Sequence, residues 1–248
     1  MTQYNKISED YTKLAKTDPV KRYAQYPEAI KILGKVKNKR VLDIGCGSGL
    51  LTAQLAKKGA KVIGYDVSKG QIELAKKEEN KNFRRIQYFV SEPKQIENIL
   101  KKSFGQSLPL FDKASSTLVL HYAKDRSHLT EFFSSTFRLL KQGGTFSAIF
   151  VNPDFKRMNK VVYNRLFVRE NGKMRVDFLD LKGDVKLSAY FSNFSRKDYE
   201  FAAKKAGFRY FKWIKLKVSE EGIKNMGKEF WKGYEKDCPY TGFITIKK

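Results

Sequence analysis

The sequence predicts an α/β fold built on a mostly parallel sheet, with an N-terminal helical cover and an antiparallel insertion after the fifth strand. Apolar or β-branched runs at Val41 to Ile44, Val62 to Tyr65, Ile86 to Val90, Ala114 to Leu120 and Thr145 to Val151 recur about 21 to 30 residues apart, the rhythm of strand–helix–strand units. Three glycines close behind the first run mark the end of a strand that delivers the chain to a ligand-binding edge. After Val151 the rhythm stops, and Asn171-Gly172, a dipeptide suited to a tight hairpin turn, separates two further strand-like runs.

Taken in order, Tyr4 to Lys16 and Tyr23 to Leu33 read as two short helices interrupted at Pro19 and Pro27, placed to cover one edge of the sheet. Between the fourth and fifth strands, Leu129, Phe132, Phe133, Thr136, Phe137 and Leu140 fall at helical steps, and Gly143-Gly144 is expected to end that helix. Val161 to Arg169, Lys173 to Leu181 and Val185 to Phe191 form the antiparallel insertion. Ser195 then caps a helix with Asp198 three residues on, an apolar face of Tyr199, Ala202, Ala203 and Ala206, and Gly207 at its end. Gly242 to Ile246 supplies a last strand. This organisation predicts one domain over 1–248: a helical cover (1–35), a core (36–152), an antiparallel lid (153–194) and a segment that completes the sheet (195–248).

With 248 residues, 41% of them hydrophobic, the chain can bury a core, which excludes the disordered and low-complexity classes. The net charge is +24, but 38 of the 50 basic residues are Lys, dispersed from Lys6 to Lys248, rather than Arg clustered for forked phosphate contacts. No specific nucleic-acid partner is expected. No apolar run approaches the roughly 18 residues of a membrane span, and the polar start has no signal core, so a cytoplasmic protein without a membrane partner is expected. Two cysteines (Cys46, Cys238) and two histidines (His121, His128) are too few and too scattered for a zinc site or disulfide framework, so no metal is expected.

The chemistry concentrates in Val41-Leu42-Asp43-Ile44-Gly45-Cys46-Gly47-Ser48-Gly49. A dinucleotide fingerprint needs a third glycine where Leu50 stands, and a phosphate-binding loop needs Gly-Lys-Ser/Thr, which is absent. Asp66, 21 residues after Gly45 at the tip of the second strand, suits a carboxylate that accepts both hydroxyls of a ribose. Glycine loop plus ribose acid implies a nucleoside-like cofactor.

These two motifs, Val41 to Gly49 and Gly64-Tyr65-Asp66-Val67-Ser68, resemble those of the class I S-adenosylmethionine-dependent methyltransferases. The resemblance implies a Rossmann-like, seven-stranded sheet and S-adenosylmethionine as cofactor, leaving S-adenosylhomocysteine as product. It also implies that Asp43, Gly45, Cys46, Gly47 and Gly49 surround the methionine part, Asp66 and Val67 the ribose, and Glu92 and Pro93 the adenine. Ser91-Glu92-Pro93 departs from the commoner Gly-Asp-Ala. A narrower resemblance, carried by Tyr4-Asn5-Lys6-Ile7, Tyr11, Asp18-Pro19-Val20-Lys21-Arg22-Tyr23, Pro27 and Gly227-Lys228-Glu229-Phe230-Trp231 with Pro239, is to the toxoflavin-synthase-like enzymes. It implies a small heterocyclic or related, planar acceptor methylated on nitrogen or, second, oxygen, with Tyr4 and Tyr11 touching the cofactor; a monomer is expected. RNA or protein methylation, and cofactor binding without transfer, are the alternatives.

The fourth strand begins at Asp112 and ends in Ser116-Thr117-Leu118-Val119-Leu120-His121-Tyr122, where the general methyltransferase pattern sets Ser116 and Thr117 beside the cofactor. His121 is a candidate base for removing a ring proton, against a purely structural histidine, and His128 is expected to be solvated. Tyr122, with Tyr163, Phe178, Tyr190 and Phe191 of the lid, offers flat apolar surface for stacking on a planar acceptor.

Overall fold

The computed structural model describes residues 8–79, 86–105, 108, 110–170, 172–180 and 182–248. Strands β1 (Arg40–Ile44), β2 (Lys61–Asp66), β3 (Ile86–Val90), β4 (Phe111–Thr117) and β5 (Leu140–Val151) pair in parallel. A second, antiparallel sheet follows, β6 (Val161–Val162), β7 (Arg165–Glu170), β8 (Lys173–Leu179) and β9 (Val185–Ser192), in sequential order. Then β10 (Tyr210–Lys215) and β11 (Tyr240–Ile246) rejoin the first sheet, giving the order β10-β11-β5-β4-β1-β2-β3 with β11 antiparallel to both its neighbours. This is the Rossmann-like sheet the motifs imply.

Strand alternation divides the core between two faces. Val41 and Val62 point to one side, where they meet helices α3 (Leu50–Lys57) and α4 (Lys69–Glu79), the cover and the lid through Leu51, Ile72, Leu33 and Phe167. Leu42 and Ile63 point to the other. There they join α5 (Ile96–Phe104), α6 (Arg126–Leu139) and α7 (Arg196–Ala206) around Phe133, Phe146, Phe150 and Phe243. Ser195 and Asp198 form a reciprocal capping box on α7, and Gly207 ends it at φ 104°, as the sequence predicts.

The cover differs from expectation in an informative way. After α1 (Ser8–Thr17), a π-helical turn, Lys21–Gln25, runs directly into α2 (Tyr26–Leu33), so Pro27 interrupts nothing. An α-helix would require the missing Pro27 N–H to reach the Tyr23 carbonyl; here the wider turn absorbs the defect and that carbonyl accepts Ser219 N–H at 2.8 Å. Ser219 is the N-cap of α8 (Glu220–Phe230), so the freed carbonyl docks a helix from the far end of the chain. Neither α8 nor β10 is among the elements that the sequence predicts.

Two other boundaries shift. Helix α6 ends at Leu139 and β5 begins at Leu140, with Gly143 (φ 75°) inside the irregular start of β5 rather than at the helix terminus. The first predicted lid strand is two strands, because Tyr163 and Asn164 take positive φ (52° and 59°) and form a tight turn between β6 and β7. Asn171 and Leu181 lie outside the described residues.

Cover and lid are joined by a buried ion pair between Asp18 and Arg165. The other Asp18 oxygen accepts Val20 N–H (2.9 Å), Arg165 also donates to the Tyr163 carbonyl (2.8 Å), and its guanidinium lies against the Phe178 and Tyr240 rings. Removing one member strands the other's charge in the interior. Arg165→Met is therefore expected to lower stability by about 3–5 kcal/mol, with part recovered in the Asp18→Asn, Arg165→Met double variant. Urea unfolding followed by tryptophan fluorescence checks this, and an unchanged midpoint for Arg165→Met contradicts it.

Candidate functional site

The chain leaves β1 through Gly45-Cys46-Gly47-Ser48-Gly49, and the three glycines have left-handed φ values of 65°, 53° and 79°. Space demands glycine as well: a Cβ on Gly45 would sit 2.3 Å from Val119 Cγ2, and one on Gly49 2.4 Å from the Tyr88 hydroxyl. Gly45 and Cys46 N–H groups donate to the Tyr65 carbonyl at 2.8 and 3.0 Å. Gly47 N–H donates to Asp66 Oδ2 at 2.9 Å, and Ser68 N–H to Asp66 Oδ1 at 2.8 Å. Asp66 thus latches the loop, and each of its oxygens retains accepting capacity for a ligand. Burial holds its carboxyl above the usual carboxylate range, while N–H groups of Ser68, Gly47 and Val67 pull it back down.

Beside this loop lies a cavity of about 530 Å³, within the range of small-molecule and cofactor sites. Of the sequence-predicted cofactor residues, Tyr11, Gly45, Gly47, Asp66, Val67, Glu92 and Thr117 line it. Of the predicted acceptor residues, Tyr122, Tyr190 and Phe191 line it. Two buried hydroxyls in its wall, Tyr65 and Thr117, have no hydrogen-bond partner among the described residues. Buried polar groups are ordinarily paired, so these are open positions for a polar ligand.

Other predicted site residues stand back from the cavity. Asp43 is buried behind the loop and accepts the Thr52 hydroxyl at 2.6 Å, bracing the start of α3. Cys46 packs its sulfur by Gly64, and burial, with Asp66 and Asp43 nearby, raises its thiol well above its ordinary value. Gly49 is spent on the approach to Tyr88, and Ser116 and Pro93 are buried off the wall. Tyr4 lies outside the described residues.

His121 corrects the expectation of a base facing the acceptor. Leu118 takes φ 62° and Leu120–Tyr122 forms a 3-10 turn, which carries the imidazole behind Tyr122 and Phe191, at ring distances of 4.4 and 4.8 Å. Burial, with the Lys21 ammonium nearby, lowers it to about 3, so it stays neutral and weakly basic. Tyr163 and Phe178 are likewise corrected. Tyr163 stacks on Trp231 and receives a hydrogen bond from Arg157 at 2.9 Å, while Phe178 packs edge-on to Tyr11. Both hold the lid to the body.

The wall also contains residues that sequence reasoning missed: Gln71, Val119, Lys124, Phe132, Lys173, Ser192 and His128. His128 is not simply solvated. Asp125 caps α6 by accepting His128 N–H at 2.8 Å, and the His128 ring accepts Lys124 N–H through Nδ1 at 3.2 Å, leaving Nε2 toward Glu92. That hydrogen bond makes Nε2 the protonated nitrogen of the neutral ring, a donor. The signal was present in Asp125, whose capping role puts His128 in the first turn.

A parallel sheet with a glycine loop at its carboxyl edge and an acid at the tip of the second strand defines an α/β nucleoside-cofactor protein. Residues 13–212 match the family described as "Methyltransferase domain", and the chain belongs to that family, the class I S-adenosylmethionine-dependent methyltransferases, with S-adenosylmethionine as its cofactor. A ubiquinone biosynthesis O-methyltransferase of Pelagibacter ubique (strain HTCC1062) is 32% identical over 121 residues, covering 49% of this chain and 45% of the relative. The chain thus matches about half the length of that relative. Among solved structures, the CcbJ methyltransferase of Streptomyces caelestis superposes with TM-score 0.66 at 13% identity, covering 98% of this chain and 95% of the other. The sugar N-methyltransferase KedS8 of Streptoalloteichus sp. ATCC 53650 gives 0.62 at 15% identity, covering 97% and 92%. These likenesses concern the fold.

One electrostatic consequence is testable. Burial pushes the Asp43 carboxyl up from 3.8 to about 7, with Thr52 opposing and Asp66 adding to the rise. Because the native state keeps this proton after the unfolded chain has released it, the Asp43 contribution favours folding below pH 3.8 and is progressively lost up to about pH 7. The stability of the wild type relative to Asp43→Asn should fall through this window and level off above it. Unfolding free energies measured across pH check this, and a pH-independent difference contradicts it.

Proposed function

We propose that the protein transfers a methyl group from S-adenosylmethionine to a nitrogen, or in second place an oxygen, of a small planar metabolite. The observation that carries this reading is the continuity of one cavity from the Gly45, Gly47 and Asp66 end to the aromatic end formed by Tyr122, Tyr190 and Phe191. Named activities among the similar proteins include both oxygen and nitrogen methylation, so the reacting atom rests on the narrower resemblance. In this reading segments 1–35, 36–152, 153–194 and 195–248 act as one domain. Among the described residues no helix is long and apolar enough to cross a membrane.

In this reading Asp66 accepts the ribose hydroxyls while holding the loop, and the bare backbone of Gly45 and Gly47 lets the methionine part lie close. Glu92 meets the adenine amino group, with the His128 Nε2–H beside it. The hydroxyls of Tyr65 and Thr117 satisfy polar atoms that enter the cavity, and Tyr11 covers it from α1. When bound, the cofactor supplies an electrophilic methyl on a positively charged sulfur with a neutral leaving group. Little is then asked of a base. The lid aromatics orient the acceptor and keep water out, which supplies acceleration through proximity.

Asp66→Ala should weaken S-adenosylmethionine binding by about 2–4 kcal/mol through the loss of charge-assisted hydrogen bonds, and calorimetry on the folded variant measures it. Wild-type affinity would sink the assignment. A metabolite screen with labelled cofactor should yield a labelled small molecule, and Phe191→Ala should then raise the acceptor KM while leaving cofactor affinity within about threefold. Label appearing in RNA or protein instead would refute the proposal.

A further inference from the structure

Resting on the small-acceptor reading above, we propose that the acceptor carries an anionic group, a carboxylate or a phosphate, and that Lys124 and Lys173 bind it at the rim of the cavity. Both residues line the cavity, one from the core and one from the lid. The backbone brings them to the same place. Lys173 stands opposite Ser192 in the β8–β9 register, Ser192 Oγ donates to the Ala123 carbonyl at 2.7 Å, and Lys124 is the next residue. This lid–core hydrogen bond thus has a lysine on either side.

The acids that neighbour these lysines in sequence or register have partners of their own. Glu170, opposite Lys173 in the β7–β8 register, pairs with Arg175 at 2.8 Å, and Asp125, next to Lys124, caps α6. Of the two carboxylates in the cavity wall, Asp66 is bound to the loop backbone and Glu92 faces His128. Among the described residues neither lysine ammonium has an ion-pair or hydrogen-bond partner, whereas Arg157, Arg165 and Lys141 are all paired. Two ammoniums left unneutralised on one rim create a local positive potential that an anion relieves.

What lies alongside the rim is apolar and flat. Phe191 and Tyr122 meet edge to face at 6.1 Å, and Tyr190, half exposed, is the residue before Phe191 on the lid strand. Aromatic walls with a cationic lip suit a planar ring bearing a negative substituent, and they disfavour a cationic acceptor, which would meet like charge. The lysines lie outside the glycine loop and Asp66, so their effect should fall on the acceptor.

The test is calorimetry on the full chain saturated with S-adenosylhomocysteine, using matched probes: nicotinate against nicotinamide, benzoate against benzamide, and phenyl phosphate against phenol. The anionic member of at least one pair should bind about fivefold or more tightly, with the preference shrinking at high salt and vanishing in Lys124→Ala, Lys173→Ala. Whether the carboxylates or the phosphate gain more identifies the group. Equal affinity within every pair, or no binding of any probe, overturns the proposal. So does a double variant that loses S-adenosylmethionine affinity while the anion preference persists, since the ammoniums would then serve the cofactor. Failure of the wild type to bind S-adenosylmethionine overturns the underlying reading as well; cofactor binding without anion preference overturns this inference alone.

Discussion

Asp18 and Arg165, shut away from solvent and bound to each other, join the cover and the lid, parts of the chain far apart in sequence. Asp18 starts the cover helix by accepting Val20 N–H, Arg165 opens β7 of the lid, and the guanidinium packs against Tyr240 at the head of the last strand. Apolar packing of the same volume can match or exceed the net stability of such a pair. What the ion pair adds is position, because a guanidinium has fixed donor directions and a leucine has none. The cavity depends on that position: Tyr11 comes from the cover and Tyr190 and Phe191 from the lid.

Behind the cavity the fold divides its carboxylates by environment. Asp43 is enclosed, neutral to about pH 7, and serves the loop through Thr52, whereas Asp66 accepts backbone N–H groups and serves both loop and cavity. His121 is treated in the opposite sense. Its burial among Tyr122, Phe191 and the Lys21 charge removes it from acid–base work near neutrality. A reaction with an excellent leaving group tolerates this, and the site spends its polar groups on holding and orienting ligands.

The glycine loop was legible because its requirement is local: Gly45 and Gly49 need left-handed φ and clearance at their own positions, and Asp66 follows at the length of one strand–helix–strand step. The capping of α7 was legible for the same reason, since Ser195, Asp198 and Gly207 satisfy nearby backbone groups. Pro27 misled because the compensating partner for the Tyr23 carbonyl, Ser219 N–H, lies almost two hundred residues away. Tyr163, Phe178 and His121 misled because aromatic and imidazole rings read identically in sequence whether they face a ligand or a neighbouring element.

Taken alone, the sequence determined the strand–helix rhythm, the glycine loop, the strand-tip acid and the existence of an antiparallel insertion. Each follows from residue periodicity or from backbone demands satisfied within a few residues. Only the tertiary structure decided which lid aromatics reach the cavity, that His128 lines it while His121 does not, and that Lys124 and Lys173 share a rim. Those outcomes depend on the direction of a left-handed residue at Leu118, the turn at Tyr163-Asn164 and a buried ion pair across the chain. Local sequence cannot encode the meeting of side chains whose partners lie on distant elements.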